Sequence, residues 1–542
     1  MNQAQQSPIR RGPMCSHPGK RITLCNIAEE LRCHIFSFLS YSEIILCALT
    51  CQTMYKTVKN STELQYLIEL GAQRLMPVHP RPPTVSIAEC LRILRDKANA
   101  WSSFDLSVTK RLRVPWFFNP KLITITHQKL TLSPWHGRGI MSKVIDIRTC
   151  TPETARLPPC RWNKGNANPS PGAYLCYRYL DETQDLVITV YKLSVDTSAS
   201  DFMYQIHFRT ISTDKEHPLA HISCLELTCR VPSKEDRRFQ KSEVTVLGGR
   251  VAFYHEVQVL IEDIDEIYSY WSLHVWSWCD GGQSDDIYLS GEGYSLFEIR
   301  FLTNEKLLSL TSHCCIENYN VEDLSNAPQL QARFRMPLIS TQLRFRYPSV
   351  FHSTSSCTRL AAPDERWIWT TNPEDRVICV KISRPWSIFV IRAQLFFMDI
   401  PPSWFDAASE DKLVVPWSSW GPHNSRYLPL DRDRSSQAVS GVGGSRIMRL
   451  VGTRMHMADF NPSAVARGVG KIVREPTTIP TRSMNSFTED VTTHLPYVEV
   501  VNNDREFDGT LWDVILDEEK VLIITLANVA NEQAMGVEII EM

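Results

Sequence analysis

The chain changes character near residue 106, and this change limits the folds open to it. Before this point, apolar residues recur with helical spacing. After it, short runs of β-branched and aromatic residues alternate with turn residues, and each run has the length of a strand. The clearest such runs are residues 122–126, 174–179, 185–191, 204–210, 243–247, 250–254, 271–276, 294–301, 306–310, 366–370, 376–382, 387–392, 497–501 and 520–525. The sequence therefore predicts a small helical region followed by a large all-β domain.

Three short helices are predicted before residue 72. In the first, over residues 28–39, Ile27, Leu31, Ile35 and Leu39 are spaced four apart, and Phe36 widens the apolar stripe. A unit of about 45 residues is too small to bury all of its apolar surface in its own core. A partner protein or the rest of the chain should therefore cover the remainder.

The second and third helices carry their own start and stop signals. Ser40 and Glu43 have capping-box spacing, and the helix they open should continue through Ile44 and Leu49 to Tyr55. The third should begin at residue 60 or 61, and Gly71 can end it in a left-handed conformation.

The motifs of this region resemble the F-box family over about residues 22–70. The resemblance rests on Ile27-Ala28-x-Glu30-Leu31, then Ile35-Phe36-Ser37-Phe38-Leu39, then Leu49-Thr50-Cys51 and Tyr55. The main departure is Ala28, where the family pattern has proline. Loss of the proline ring removes a fixed φ and some apolar contact, so we expect modestly weaker docking.

The resemblance implies docking on the Skp-type adaptor of a cullin-containing SCF ubiquitin ligase, while the rest of the chain selects a protein substrate. Carried over by position, the residues that would form or support the adaptor interface are Ile27, Ala28, Leu31, Ile35, Phe36, Leu39, Ile44, Leu49 and Tyr55. The alternative is that these helices simply cap the β domain and that their stripe is ordinary core.

The sequence predicts four regions: a disordered tail (1–21), the F-box (22–72), a proline-rich hinge with a connecting helix (73–105), and the β domain (106–542). The strand–turn–strand repeats of the β domain resemble divergent WD-type propellers, and its length suits six to eight blades. The segment 536–540 should pair near the first strands and close the ring. The rival architecture is two stacked β-sandwiches.

Several segments of the β domain carry weaker functional hints. The glycine-rich segment 441–444 is expected to be a mobile loop, and loops on a propeller face are where a target would bind. Tryptophan pairs could form a recognition platform, although strand alternation should turn one member of each pair into the core. The stretch 416–426 resembles a Trp-Gly-Pro…Arg segment of fungal F-box proteins with β-rich C-terminal regions.

The amino-acid composition limits the kinds of partner and the cellular compartment that suit this chain. A formal charge of −2 and a pI near 6.7 give no general attraction to nucleic acid or to anionic membranes. The sixteen cysteines include no C-x-x-C pair and suggest reduced thiols, hence cytoplasm or nucleus. The polar N-terminus lacks the apolar core of a signal peptide, and no apolar run suits a membrane span.

Catalytic and metal-binding patterns are weak. His221, Cys224 and Cys229 have the residue types of zinc ligands, but strand alternation sends His221 and Cys224 to opposite faces. We therefore predict no cofactor, no metal and no chemistry of the chain's own. The predicted function is a non-catalytic substrate receptor. The alternatives are an F-box protein that assembles no ligase and an enzyme or ligand-binding propeller with a helical appendage.

Overall fold

The computed structural model describes residues 23–77, 85–115, 124–126, 129–132, 143–146, 173–181, 184–193, 202–229, 237–261, 266–280, 287–338, 343–346, 369–383, 386–407, 409–430, 439–467, 470–481, 487–507, 510–516, 520–529 and 532–542. These residues form two compact units. Unit 1 holds the described residues up to Gly71 together with Ser86–Arg92, and unit 2 holds the described remainder. The predicted tail, residues 1–21, lies outside the described residues.

Four short helices open the described chain after a 3₁₀ turn at Leu24–Asn26: α1 (Glu29–Phe36), α2 (Tyr41–Thr50), α3 (Gln52–Asn60) and α4 (Thr62–Ala72). Their shared core consists of Phe36, Ile44, Met54, Val58 and Leu64. Each of these side chains is less than a tenth exposed. Of the stripe predicted for the first helix, Phe36 therefore enters this core and Leu39 packs against it, whereas Leu31 and Ile35 stay exposed.

Two details of this region correct the prediction. The expected second helix is two helices, because Cys51 adopts an extended conformation (φ −160°, ψ 164°) between α2 and α3. Gly71 does not end α4 in a left-handed conformation, since the helix runs on to Ala72. Instead, Gly71 allows a close approach, because a Cβ there would lie 2.4 Å from Cγ of Tyr41.

The connecting helix is confirmed as α5 (Ile87–Ser103), and the Oγ atom of Ser86 accepts a hydrogen bond from the Glu89 amide at 3.1 Å. Residues 78–83 of the proline-rich hinge lie outside the described residues. The preceding Leu75–Pro77 is a strand that pairs with Trp369–Thr371, and Arg74 forms an ion pair with Asp375 at 3.4 Å. The start of the predicted hinge is therefore anchored on the β domain.

The strands of unit 2 form seven sheets of three or more strands, numbered here in chain order. Sheet 1 contains Thr124–Thr126, Lys129–Leu132 and Lys143–Asp146; sheet 2 contains Tyr174–Asp181, Leu186–Leu193, Phe202–Thr210 and Cys224–Cys229; sheet 3 contains Arg237–Leu247, Arg250–Ile261, Glu266–Ser277 and Leu289–Glu292; sheet 4 contains Leu296–Thr303, Lys306–Thr311, Cys315–Asn320, Gln329–Arg335 and Val414–Val415. Sheet 5 contains Leu343–Arg346, Val377–Ser383, Trp386–Arg392 and Ser425–Pro429; sheet 6 contains Ser440–Gly443, Arg446–Val451, Arg454–Asp459, Tyr497–Glu506 and Lys471–Val473; sheet 7 contains Leu511–Leu516, Lys520–Val529, Glu532–Glu541 and Lys110–Pro115. A further small sheet pairs Thr477–Ile479 with Val491–Thr493.

Sheet 7 joins the two ends of the β domain. Its third strand, Glu532–Glu541, pairs antiparallel with Lys110–Pro115, and Gly536 stands opposite Arg113. This pairing confirms the predicted role of residues 536–540 in chain closure. It gives the last sheet its outer strand from the start of the domain, as in closed propellers.

Consecutive sheets also touch in chain order. The first strands of sheets 2, 3, 4 and 5 contact one another in succession, and Ser440–Gly443 of sheet 6 contacts Val377–Ser383 of sheet 5 and Leu511–Leu516 of sheet 7. Each neighbouring pair from sheet 2 to sheet 7 encloses its own apolar cluster. The predicted helical region with a large all-β domain is confirmed, and the packing favours a propeller over stacked sandwiches. The contacts described here link six sheets, so the blade count stays a prediction.

Two helices in the β domain were not predicted: α6 (Trp417–Asn424) and α7 (Pro462–Arg467). Three further 3₁₀ turns lie at Pro373–Asp375, Ala393–Phe396 and Pro402–Trp404.

Trp417 and Trp420 of α6 pack edge-to-face at 4.8 Å inside the core between sheets 4 and 5. Trp276 and Trp278 are both buried as well, so the expected exposure of one member is wrong for these two pairs. These side chains serve as core and offer no recognition platform. Trp367, of the remaining pair with Trp369, lies outside the described residues.

No helix among the residues described is long and apolar enough to cross a membrane.

The glycine-rich segment 441–444 is not the expected loop. Ser440–Gly443 is the buried first strand of sheet 6. Gly441 lies so near sheet 7 that a Cβ there would stand 2.6 Å from the carbonyl oxygen of Val514. Backbone atoms of neighbouring strands cannot yield as a side-chain end can, so glycine permits the close contact between the two sheets.

We therefore expect Gly441→Ala to destabilise unit 2 by roughly 1–3 kcal/mol, because the added methyl group overpacks a backbone contact. Urea unfolding followed by tryptophan fluorescence measures this change. Gly452→Ala is the control, since a Cβ there meets nothing within 4 Å and only its positive φ of 60° adds strain. Equal losses for the two variants would contradict the close-contact interpretation.

His274 gives unit 2 a pH dependence. The side chain is buried, neither ring nitrogen has a hydrogen-bond partner among the described residues, and burial lowers its pKa to about 4. The unfolded chain binds a proton at the ordinary histidine pKa of about 6.5, so its proton uptake exceeds that of the folded chain between these values. Stability from this group is therefore complete above pH 6.5 and falls as the pH drops toward 4.

The expected loss is roughly 3 kcal/mol at most, and His274→Phe should remove this part of the slope. Urea unfolding at several pH values between 7.5 and 4 measures it. His221→Phe, at an exposed histidine of the same unit, should keep the slope. An unchanged slope in His274→Phe would show that other groups cause it.

Candidate functional site

The candidate site is the surface of the helices in unit 1, and its shape begins with the cap of α2. Ser40 and Glu43 form the predicted capping box: the Ser40 amide donates to Oε2 of Glu43 at 2.8 Å, and the Glu43 amide donates to Oγ of Ser40 at 3.4 Å. The Ser40 hydroxyl also donates to Oε2 of Glu43 at 2.7 Å, and this bond, followed by the one from the Ser40 amide, lowers the pKa of the Glu43 carboxyl. The cap therefore fixes where α2 begins.

A buried arginine holds the N-terminal turn in place. Nε of Arg32 donates to Oγ1 of Thr57 in α3 at 2.9 Å. Its Nη1 donates to the carbonyl oxygens of Ile27 at 2.5 Å and of Cys25 at 3.3 Å. Residues 25–27 are thereby tied to α3 through one side chain. This role could not be predicted from the sequence, because a lone arginine between apolar positions is usually a solvated residue.

Two of the predicted interface residues lie in the core. Phe36 is 1% exposed and Ile44 is 0% exposed, and both belong to the shared core of α1–α4. They can support a docking surface from below but cannot contact a partner directly. Ile27 and Leu39 are half-buried, and Leu39 packs against the same core.

The other predicted residues are exposed: Ala28, Leu31, Ile35, Leu49 and Tyr55. Leu31 is 56% exposed and Ile35 is 41% exposed, one helical turn apart on α1. Lys59 lies over the ring of Tyr55, with Nζ 5.7 Å from its centroid. Their exposure is compatible with the predicted contact with the adaptor, and that contact stays a prediction.

The sequence-based list also missed exposed apolar residues of the same region, namely Leu24, Phe38, Ile45 and Leu46. Phe38 is 77% exposed and packs its ring edge-to-face against His34 at 5.0 Å. Ile45 and Leu46 lie on α2 near Leu49, where helical spacing could have identified them. We call these four residues, together with Leu31, Ile35, Leu49 and Tyr55, the exposed apolar surface of unit 1.

This surface is concentrated in one part of the molecule. Among the described residues, twelve large apolar side chains are exposed, and eight of them belong to the exposed apolar surface of unit 1. The other four are Leu175, Leu219, Ile222 and Met398 in the β domain. A concentration of this kind marks a site of association with another protein.

The candidate zinc ligands do not form a site. Cys224 lies 3.7 Å from Nε2 of His207 across two strands, Cys229 is buried near Oγ of Ser272, and His221 is exposed. In the part of the chain that the structure describes, no group of three or more His, Cys, Asp or Glu side chains could hold a metal ion.

Ala28 occupies the N-cap of α1 with φ −56° and ψ 148°, and the preceding Ile27 is extended. A φ of −56° lies within the range that a proline ring imposes, and an extended residue before proline is the favoured conformation. The backbone at the departure from the family pattern thus already suits proline. Without the proline ring, the unfolded chain is less restricted at this residue, while the folded backbone keeps the conformation that proline would adopt.

The chain matches the family model described as "F-box domain" over residues 24–65. No curated protein matches the sequence. Among solved structures, the WD40 domain of SCAP from fission yeast is similar at a TM-score of 0.31 and 8% identity, covering 79% of this chain and 94% of that one. Sqt1 from Chaetomium thermophilum is similar at a TM-score of 0.22 and 10% identity, covering 66% and 93%. These TM-scores are low, so the fold rests on the strand pairing and packing described above.

The matched residues span the 3₁₀ turn, helices α1 to α3 and the start of α4. They include every predicted adaptor-interface residue and all of the exposed apolar surface. An F-box domain at the N-terminus, followed by a large all-β region, is thus the organisation of the described chain. An F-box domain implies a role in adaptor binding.

We expect Ala28→Pro to stabilise unit 1 by about 0.4–1 kcal/mol, because it restricts the unfolded chain without changing the folded backbone. Hydrogen exchange of the amides in α1–α3, in the full chain, measures this local stability. The control is Lys56→Pro inside α3, which should unfold that helix. Destabilisation by Ala28→Pro would mean that the N-cap does not tolerate the ring.

Proposed function

We propose that this protein, whose residues 24–65 form an F-box domain, is a substrate receptor of an SCF-type ubiquitin ligase. Unit 1 would bind a Skp-type adaptor, and through it cullin, while the β domain would bind a target protein for ubiquitination. The chain would contribute no chemistry of its own and would work in the cytoplasm or nucleus. The observation that carries this proposal is the exposed apolar surface within the matched residues.

The energetics of that surface support adaptor docking. Apolar area removed from water contributes roughly 25 cal/mol per Å², and a fully buried leucine or phenylalanine contributes about 1.5–3 kcal/mol. Leu31, Phe38 and Leu49 are each more than half exposed, so much of this free energy is still available to a partner. The helices that carry these side chains are held by a buried core, so little conformational freedom of the backbone is lost on binding.

The β domain supports the second half of the proposal through its construction. Closure of sheet 7 by Lys110–Pro115 removes one exposed edge, so binding to a target need not proceed by strand addition. The loops between strands vary in length on a rigid scaffold, which is where binding residues concentrate in such folds. Target capture is therefore assigned to the loops of unit 2.

The proposal is tested by the double variant Leu31→Asp with Ile35→Asp in the full chain. Each change places a carboxylate on the exposed apolar surface, and loss of an important interface residue costs about 2 kcal/mol, or about 30-fold in affinity. The expected result is loss of recombinant Skp-type adaptor in pull-down and calorimetry. Circular dichroism should show an unchanged fold, since both side chains are solvent-exposed.

The matched control is Leu175→Asp with Ile222→Asp, two apolar side chains of the β domain that are 50% and 43% exposed. This variant should bind the adaptor like the original chain. Binding of the adaptor that survives Leu31→Asp with Ile35→Asp would overturn the proposed docking surface. Adaptor binding without co-purification of cullin would instead favour an F-box protein outside a ligase.

A further inference from the structure

We propose that Cys25 and Cys51 are a site of reversible oxidation, at which hydrogen peroxide converts two neighbouring thiols into an intramolecular disulfide. This oxidation would not depend on adaptor binding. The two cysteines lie 26 residues apart in the sequence, and the fold of unit 1 brings them together.

The geometry places the two sulfur atoms in contact. Sγ of Cys25 lies 3.8 Å from Sγ of Cys51, and one of the two thiols can donate a hydrogen bond to the other. Among the described cysteines, Cys25 and Cys51 are exposed, whereas the others are half-buried or buried. Peroxide can therefore reach both atoms, and forming the bond requires only a small approach of the sulfurs.

Buried side chains hold Cys25 and Cys51 in contact. Arg32 donates hydrogen bonds to the carbonyl oxygen of Cys25 and to the hydroxyl of Thr57. Thr57 belongs to α3, and Cys51 is the N-cap of that helix. One buried side chain thus fixes the backbone of Cys25 relative to the helix that begins at Cys51.

The two thiols differ in reactivity. Backbone N–H groups at the start of α3, chiefly that of Met54, lower the pKa of the Cys51 thiol. The hydrogen bond to Cys51 raises the pKa of the Cys25 thiol. A helix N-terminus favours a thiolate, and the thiolate is the form that attacks peroxide. Cys51 is therefore the first nucleophile, and Cys25 is the resolving thiol.

The disulfide forms in two steps. The Cys51 thiolate attacks one oxygen of hydrogen peroxide, the O–O bond breaks, and sulfenic acid and hydroxide form. The Cys25 sulfur then attacks the Cys51 sulfur, an S–S bond forms, and the S–O bond breaks. The hydroxide from the first step takes up the proton that the Cys51 thiol released on ionisation, and the hydroxide that leaves in the second step takes the Cys25 proton. Two thiols are thus oxidised while peroxide is reduced to two waters. A thiol reductant reverses the bond by exchange.

The test treats the reduced full chain with hydrogen peroxide, blocks the remaining thiols, and maps disulfides by mass spectrometry of peptides. The expected product is a Cys25–Cys51 cross-linked peptide that disappears on addition of dithiothreitol. In Cys25→Ser, the Cys51 sulfenic acid should persist and react with a dimedone probe, while Cys51→Ser should give neither product.

Cys224→Ser is the matched control, because Cys224 is half-buried, has its own contact with His207, and has a pKa raised by burial. This variant should form the Cys25–Cys51 bond at the original rate. Oxidation of Cys51 without the cross-link would overturn the proposal, as would a rate of Cys51 oxidation no higher than that of Cys224. Serine replaces exposed sulfurs in both test variants, and circular dichroism checks that unit 1 stays folded.

Discussion

The pairing of Lys110–Pro115 with Glu532–Glu541 is the contact on which the β domain depends. It joins strands separated by more than four hundred residues, and Lys110 stands opposite Ile539 in its register. Without this pairing, the last sheet would present a long edge with unpaired backbone groups. Sheets 2 to 7 contact their neighbours in order, so closure also limits how far this series can open. Leu112 and Val114 of the closing strand are buried, which adds apolar burial to the backbone pairing.

Glycine is needed where those sheets approach most closely. Gly441 sits against the backbone of Val514, and Gly71 sits against the ring of Tyr41, so the same residue type serves sheet packing in one unit and helix packing in the other. In neither position is a left-handed conformation involved. Both cases show that the absence of a side chain can be the structural requirement.

Much of the fold could be predicted from the sequence where the signal is local. The capping box of Ser40 and Glu43 and the helix from Ile87 depend on neighbouring residues, and both were found. The predicted strand runs were less accurate: 250–254 covers less than half of Arg250–Ile261, and Cys315–Asn320 was not predicted. The break at Cys51 could not be predicted, because no glycine or proline marks it and helix packing decides it. The glycines of 441–444 suggested a loop, since their value for close sheet contact depends on Val514 in a distant strand. The candidate site divides in the same way: periodicity identified the stripe, but only the fold separates the buried Phe36 and Ile44 from the exposed Leu31 and Leu49.

Closure by the terminal strands also has a consequence for biosynthesis. A ribosome delivers residues 23–72 and the strand Lys110–Pro115 first, whereas the partner strand Glu532–Glu541 emerges more than four hundred residues later. The F-box helices contact mainly one another and can fold as soon as they leave the exit tunnel. For most of translation, a completed F-box is therefore joined to an open β domain with an unpaired strand. Chains that stall before residue 532 would carry the F-box helices without a closed β domain.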